Sequence, residues 1–166
     1  MLSKHTKTYS NISIQVIEHG NLNTKLLHEI CKLKKTIWPH SLKDQKEYIR
    51  KIGKKNDLHI CLFIKSSLIG YTFLKNKKFI DIKSNKFVLL DTIVIKNKFQ
   101  KKGFSKLLMT FNNFIIQKKI KNNGMLICKK NFVKFYKTFG WKIIKEKKIK
   151  KNFKLKKDIY LMMLKS

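Results

Sequence analysis

Arginine is nearly absent from this chain: Arg50 is the only one among 40 cationic residues. Nucleic-acid-binding surfaces favour arginine, whose planar fork makes bidentate contacts to phosphate and guanine. They also gather their charge on one face or in one arm, whereas the lysines here run from end to end. Acidic residues are scarce too, nine in all, and the net charge is +31. Such a charge attracts polyanions at low salt. Its spread, alongside many Asn, Ile and Phe and a single Pro, reads better as the codon bias of an AT-rich genome than as a built surface. No nucleic-acid partner is expected beyond non-specific charge attraction.

Other absences narrow the class further. Cys31, Cys61 and Cys128 lie far apart and form no CxxC pair, which argues against a zinc site and a disulfide framework. An odd cysteine count fits a reducing compartment. His5, His19, His28, His40 and His59 show no metal spacing, so no metal is expected. The start, "MLSKHTKTYSNISI", lacks the apolar core of a signal peptide, and no apolar run approaches bilayer-spanning length. The expectation is a soluble cytoplasmic protein without a membrane partner.

What is present suits one domain over residues 1–166. The length supports one sizeable core, and the apolar fraction of 43% is ordinary. No linker or repeat interrupts the chain. "SNISIQVIE" alternates Ile12, Ile14 and Val16 and reads as a strand. Leu26, Leu27, Ile30, Leu33 and Ile37 follow at helical spacing after an Asn23 or Thr24 cap. "PHS" breaks that helix, and "LKDQKEYIRKIG" forms a second, ending near Gly53. "LHICLFI" and "LIGYTFL" read as a hairpin, with "NKKFIDIKSNK" a turn or strand extension. "FVLLDTIVI" reads as a central strand.

From Gly103 to Ile120, Phe104, Leu107, Leu108, Phe111, Phe114 and Ile115 share one face of a long helix. "GMLIC" is a short buried strand. Asn131 caps "FVKFYKTF", whose Phe132, Phe135, Tyr136 and Phe139 share a face, and Gly140 ends that helix. "WKII" and "DIYLMML" close the chain as strands. The order β-α-α-β-β-β-α-β-α-β-β implies an α/β domain with a mixed sheet.

Chemistry concentrates in "IVIKNKFQKKGFS", where a strand ends, a loop turns and a helix begins. Gly103 lets backbone approach a ligand without a Cβ in the way. The first-turn amides of the following helix lack intrahelical partners and carry positive dipole potential, which suits a pyrophosphate. Lys101 and Lys102 add long-range attraction. By itself Q-x-x-G-x-S is a weak motif, equally at home in an ordinary strand-loop-helix join. In context it resembles motif A of the GNAT acetyltransferase superfamily, a strand followed by Q/R-x-x-G-x-G/A. Gln100, Gly103 and Ser105 hold the signature positions, with small Ser105 in place of Gly or Ala. "FYKTFGW" resembles the F-Y-x-x-x-G-F/W segment that closes the same fold, and the likeness covers nearly the whole chain.

The resemblance implies a GNAT fold: a mixed, mostly antiparallel sheet flanked by helices, with splayed central strands. The pantetheine arm of acetyl-CoA would lie in the splay after "GMLIC". Backbone groups of Ile93, Val94 and Ile95 would meet the acyl carbonyl and that arm. Gln100, Lys101, Lys102, Gly103, Phe104 and Ser105 would hold the pyrophosphate, mainly through amides. It further implies an N-acetyltransferase working by direct attack of a primary amine. Tyr136 would protonate the departing thiolate, although its place on an apolar helix face also suits a core tyrosine.

Asp91 interrupts an apolar strand, where a carboxylate needs a partner. Strict alternation puts it on the face of Leu89, Ile93 and Ile95. It is either the base that takes the amine proton or a hydrogen-bonded structural residue. Trp38 borders the acceptor site or plugs the core, while Asp44 and Glu47 either receive a cationic acceptor or, the better reading on a charged helix, stand as solvated carboxylates. The acceptor stays open between a small amine, an amino sugar and a protein amine. "GMLICKKNFVKFYKTFGW" with Asp91 is similar to the branch of aminoglycoside 2′-N-acetyltransferases and nodulation acyltransferases, but a polycationic acceptor sits poorly with so few carboxylates. The rival readings are a non-catalytic protein on the same scaffold and a basic nucleic-acid-associated protein.

Overall fold

The computed structural model describes residues 11–77, 87–144 and 156–166. Strand β1 (Ile12–Glu18) leads to helix α1 (Thr24–Lys35). Of the two cap candidates Asn23 takes the role, its side chain accepting from the Leu26 amide at 2.8 Å. Helix α2 (Leu42–Ile52) starts on Ser41, which accepts from the Asp44 amide at 3.0 Å. Strands β2 (Leu58–Ile64) and β3 (Ser67–Lys77) form the expected hairpin, with Lys65 left-handed at its turn (φ 54°). The "NKKFIDIKSNK" segment extends β3 as far as Lys77, and residues 78–86 lie outside the described residues. Strand β4 (Phe87–Ile95) is followed by helix α3 (Phe104–Phe114), which runs on as a π-helical stretch, Ile115–Ile120. Strand β5 (Gly124–Lys129), helix α4 (Lys130–Lys137) and strands β6 (Lys142–Ile143) and β7 (Ile159–Leu164) complete the order expected from the pattern.

The strands form one mixed sheet in the order β1-β2-β3-β4-β5-β7-β6. Neighbours are antiparallel except β4 and β5, which run parallel. Helices cover both faces. One core joins α1 and α2 to the sheet through Leu27, Ile30, Ile49, Tyr71, Phe73 and Val94. The other joins α3 and α4 to it through Leu90, Ile95, Leu108, Ile116, Tyr136 and Trp141.

Three expectations fail in instructive ways. The buried stripe of α3 is rotated: Leu107 and Phe114 are exposed, and Asn112 is fully buried. Asn112 is tolerated because it is satisfied. It accepts from the Thr72 hydroxyl at 3.0 Å and donates to the Leu108 carbonyl at 2.7 Å. On α4 Phe132 is likewise exposed. Asn131 does not cap that helix, because β5 runs straight into it and the N-cap position falls on Lys129. Its first amide is instead satisfied from outside, Lys130 N–H donating to the Asp158 carbonyl at 2.9 Å. Gly140 is left-handed (φ 84°), as a helix-ending glycine should be.

Candidate active site

The two parallel strands at the centre barely pair. Their register holds only at Val88↔Gly124 and Leu89↔Met125. Beyond Leu89, β4 has no strand partner on that edge among the described residues, while its other edge pairs with β3 along its length. Backbone groups in the stretch Ile93–Ile95 that point away from β3 therefore face a gap, with the Ile95 carbonyl taken by Gln100. Unpaired backbone polar groups need a partner from somewhere, and a ligand with amide groups of its own can supply one.

The loop after β4 is shaped for an anion. Lys101 (φ 59°) and Gly103 (φ 87°) are both left-handed, and Gly103 opens α3 without any side chain to cap it. In the first turn, the amides of Ser105 and Lys106 have no acceptor earlier in the helix. A Cβ built on Gly103 would meet nothing within 4 Å, so the space before the helix is open. Gln100 works inward, its Nε2 donating to the Ile95 carbonyl at 3.1 Å and to Asn97 Oδ1 at 3.2 Å. Lys102 lies back on the loop, Nζ donating to the Lys98 carbonyl at 2.7 Å. Phe104 is buried edge-on against Phe99, so only its backbone can reach a ligand. Ser105 is half-buried in the first turn. These residues fit a pyrophosphate held by backbone amides.

On the other face α1, α2 and β4 enclose a cavity of about 520 Å³. Lys34, Trp38, Gln45, Tyr48, Asp91 and Thr92 line it, with His40 and Asp44 also in its wall. Asp91 reaches it by an irregularity in the sheet. The β3–β4 register slips between Phe73↔Thr92 and Leu74↔Leu90, leaving Asp91 as the extra residue of a bulge. Strict alternation placed Asp91 with Ile93 and Ile95. The bulge breaks that rule and turns it, with Thr92, toward α1 and α2. There Asp91 Oδ1 accepts from Lys75 Nζ at 2.8 Å, and Lys75 is itself 4% exposed. Trp38 is exposed enough to border the cavity rather than plug the core. Gln45 is buried and donates to the Trp38 carbonyl at 2.9 Å, fixing the α1–α2 corner.

Tyr136 lies on the opposite face, in the core with Cys128 and Leu90. Burial pushes its phenol up to about 12, with the Cys128 thiol adding to the shift. It is thus a protonated hydroxyl, and among the described residues it has no hydrogen-bond partner. Tyr136 and Asp91 do not touch.

The family model for the acetyltransferase (GNAT) domain matches residues 24–157. The chain belongs to the GNAT family. No curated protein matches it by sequence. Solved structures share its fold at low identity. ElaA of Escherichia coli superposes with a TM-score of 0.68 at 15% identity, covering 92% of this chain and 99% of that one. The ribosomal-protein-S18-alanine N-acetyltransferase of the same organism gives 0.65 at 14%, covering 92% and 93%. The PaiA N-acetyltransferase of Thermoplasma acidophilum, solved with coenzyme A, gives 0.58 at 19%, covering 93% and 99%.

Within this GNAT domain, sequence reasoning missed Lys34, Lys75, Gln45, Tyr48 and Thr92. Lys34 carried a signal. It falls seven residues after Leu27 and four after Ile30, on the stripe that faces the sheet. A lysine in an apolar slot is informative, but among so many lysines it passes unnoticed.

Proposed function

We propose that this GNAT protein is an acetyl-CoA-dependent N-acetyltransferase whose acceptor is a primary amine, with residues 1–166 acting as one catalytic domain. The observation that carries the reading is the parting of β4 from β5 beside an uncapped, left-handed Gly103 turn. Acetyl-CoA supplies the activated acetyl group when bound. The backbone of Ile93, Val94 and Ile95 holds the acyl carbonyl and pantetheine arm and polarises the carbonyl as an oxyanion site does. Gln100 to Ser105 hold the pyrophosphate. Asp91, steadied by Lys75, takes the proton of the incoming amine directly or through water. Tyr136, kept protonated by burial, gives a proton to the leaving sulfur. Trp38 packs against the acceptor. The amine attacks directly, and no residue of the chain is acylated.

The acceptor classes open to it are a small amine, an amino sugar and a protein amine, the second on the resemblance of "GMLICKKNFVKFYKTFGW" to the 2′-N-acetyltransferase and nodulation branch. The cavity's lining of Lys34 beside Asp91 argues against a polycation there. The protein amine is the class that the S18-alanine enzyme's name describes.

Thermal stabilisation tests the reading. Acetyl-CoA is expected to raise the melting temperature at moderate salt, following mass action. Oligonucleotide binding driven by counterion release fades steeply over the same range. Stabilisation by DNA but not by acetyl-CoA at moderate salt would leave the nucleic-acid reading standing and remove this one.

A further inference from the structure

The cavity between α1, α2 and β4 holds a buried charge without a counter-charge. Lys34 is 6% exposed, and its Nζ lies 5.7 Å from the Trp38 ring centre and 5.4 Å from that of Tyr48. Among the described residues it makes no hydrogen bond and no ion pair. The ring faces compensate part of the buried charge, but neither is an anion. Asp91 is the carboxylate it feels most, and Asp91 is already held by Lys75 at 2.8 Å. Asp44 lines the same cavity, yet it is exposed and forms no ion pair with Lys34. Counting Lys75 behind Asp91, the buried part of the wall therefore holds two ammonium groups against one carboxylate, with the Asp44 carboxylate at the exposed rim. Burying an unpaired charge is costly, so this arrangement is completed by an anion that arrives with the ligand.

We propose that the acceptor is a small amine that also carries a carboxylate, and that Lys34 is the residue that binds that carboxylate. The inference rests on the acetyltransferase reading and names the substrate class of the same site. The acceptor's ammonium lies toward Asp91, and its carboxylate lies between the Trp38 and Tyr48 rings on Lys34. One uncompensated ammonium matches one carboxylate. A phosphate dianion would bring a second charge with no second uncompensated ammonium to answer it, and an additional cation would meet Lys34. About 520 Å³ holds a molecule of amino-acid size. The reacting amine bonds to the acetyl carbon as the carbon–sulfur bond breaks, its proton passing to Asp91 and the leaving thiolate taking one from Tyr136, while the acceptor's carboxylate takes no part in bond making.

The test pairs small amino acids with their carboxamides, which keep the amine and remove the negative charge. Thiol release from acetyl-CoA gives kcat/KM for each, and thermal stabilisation by acetyl-CoA is measured on the same samples. The carboxylate member of a pair is expected to be preferred by about tenfold or more, the worth of one charge-assisted contact. Lys34→Met keeps the aliphatic contact with the rings and should bring that ratio to about one, chiefly through KM. Lys34→Arg should retain much of the preference. Equal use of carboxamides, or a preference that survives Lys34→Met, overturns the inference and leaves the acetyltransferase reading intact. So does stabilisation by acetyl-CoA with no acetylation of any carboxylate-bearing amine. If acetyl-CoA neither stabilises the protein nor supports transfer to any amine, the acetyltransferase reading falls and takes this inference with it.

Discussion

The two faces of the sheet solve different problems with different materials. Toward α3 and α4 the interior is almost wholly apolar, and the loop that opens α3 offers a ligand little but main-chain amides. Toward α1 and α2 the interior is laced with polar groups. Lys34, Lys75 and His59 are buried there, with Asp91 half-buried beside Lys75. A site made of backbone depends on conformation, so side chains around it can change without loss. A site made of buried side chains depends on each charge finding its partner. Lysine enrichment along the chain is harmless to the first and consequential for the second.

The largest expected effect lies with the one side chain of the apolar face given a chemical role. Tyr136→Phe should lower kcat by about 100-fold, the low end for a lost general acid, with KM for acetyl-CoA nearly unchanged. The hydroxyl has no hydrogen-bond partner among the described residues, so its removal should cost little stability, which a urea titration would confirm. Unchanged thiol release would return Tyr136 to the core and leave that face purely structural.

The polar face should show itself through pH. His59 is fully buried, hydrogen-bonded to His19 at 3.0 Å and to the Tyr71 hydroxyl at 2.8 Å. Burial, with help from His19 and Lys34, pulls its pKa down to about 3 from 6.5. The folded state keeps it neutral, whereas the unfolded chain protonates it below its ordinary value. Its contribution is therefore whole above about pH 6.5 and is lost as pH falls toward 3. Unfolding free energies from urea titrations between pH 7 and pH 4 should fall by up to about 1.4 kcal/mol per pH unit from this group. His59→Phe, which retains the stacking on Phe73, should flatten that slope. A slope that persists in the variant would move the titration to another group.

Gly103 tests the backbone-built side. A substitution there meets no neighbouring atom, but it must adopt φ 87°. Left-handed backbone costs a β-branched residue about 1–2 kcal/mol. Gly103→Val should therefore weaken coenzyme A binding by about tenfold, either by straightening the turn or by filling the space before the helix. Calorimetric titration with coenzyme A would measure it.

The legibility of the two sides in the sequence differs for the same physical reason. The turn was readable because a left-handed residue next to a helix start demands glycine, and Gly103 sits between an apolar strand and a helical stripe. The order of elements followed from apolar periodicity, and every strand and helix expected in the described residues is present. Asp91 stands out because a carboxylate in "FVLLDTIVI" is out of place, but its face does not follow from alternation. A bulge is a property of two strands in register, and a single strand's alternation does not contain it. The rotated stripe of α3 failed similarly, since Asn112 belongs inside only because Thr72, forty positions away, offers it a hydroxyl. Lys34 and Lys75 were lost in composition: nothing local distinguishes a buried lysine from the solvated ones around it.

The smallest expected effect sharpens the contrast most. Lys101 is exposed and left-handed (φ 59°), and among the described residues its side chain makes no hydrogen bond or ion pair. If the anion site is built from amides, Lys101→Ala should change coenzyme A affinity by less than about twofold at 150 mM salt, where exposed charges are largely screened. At 10 mM salt the difference should widen, since long-range attraction is all that this side chain supplies. A loss at moderate salt that exceeds the effect of Gly103→Val would mean that lysine charge, rather than main-chain geometry, holds the phosphates.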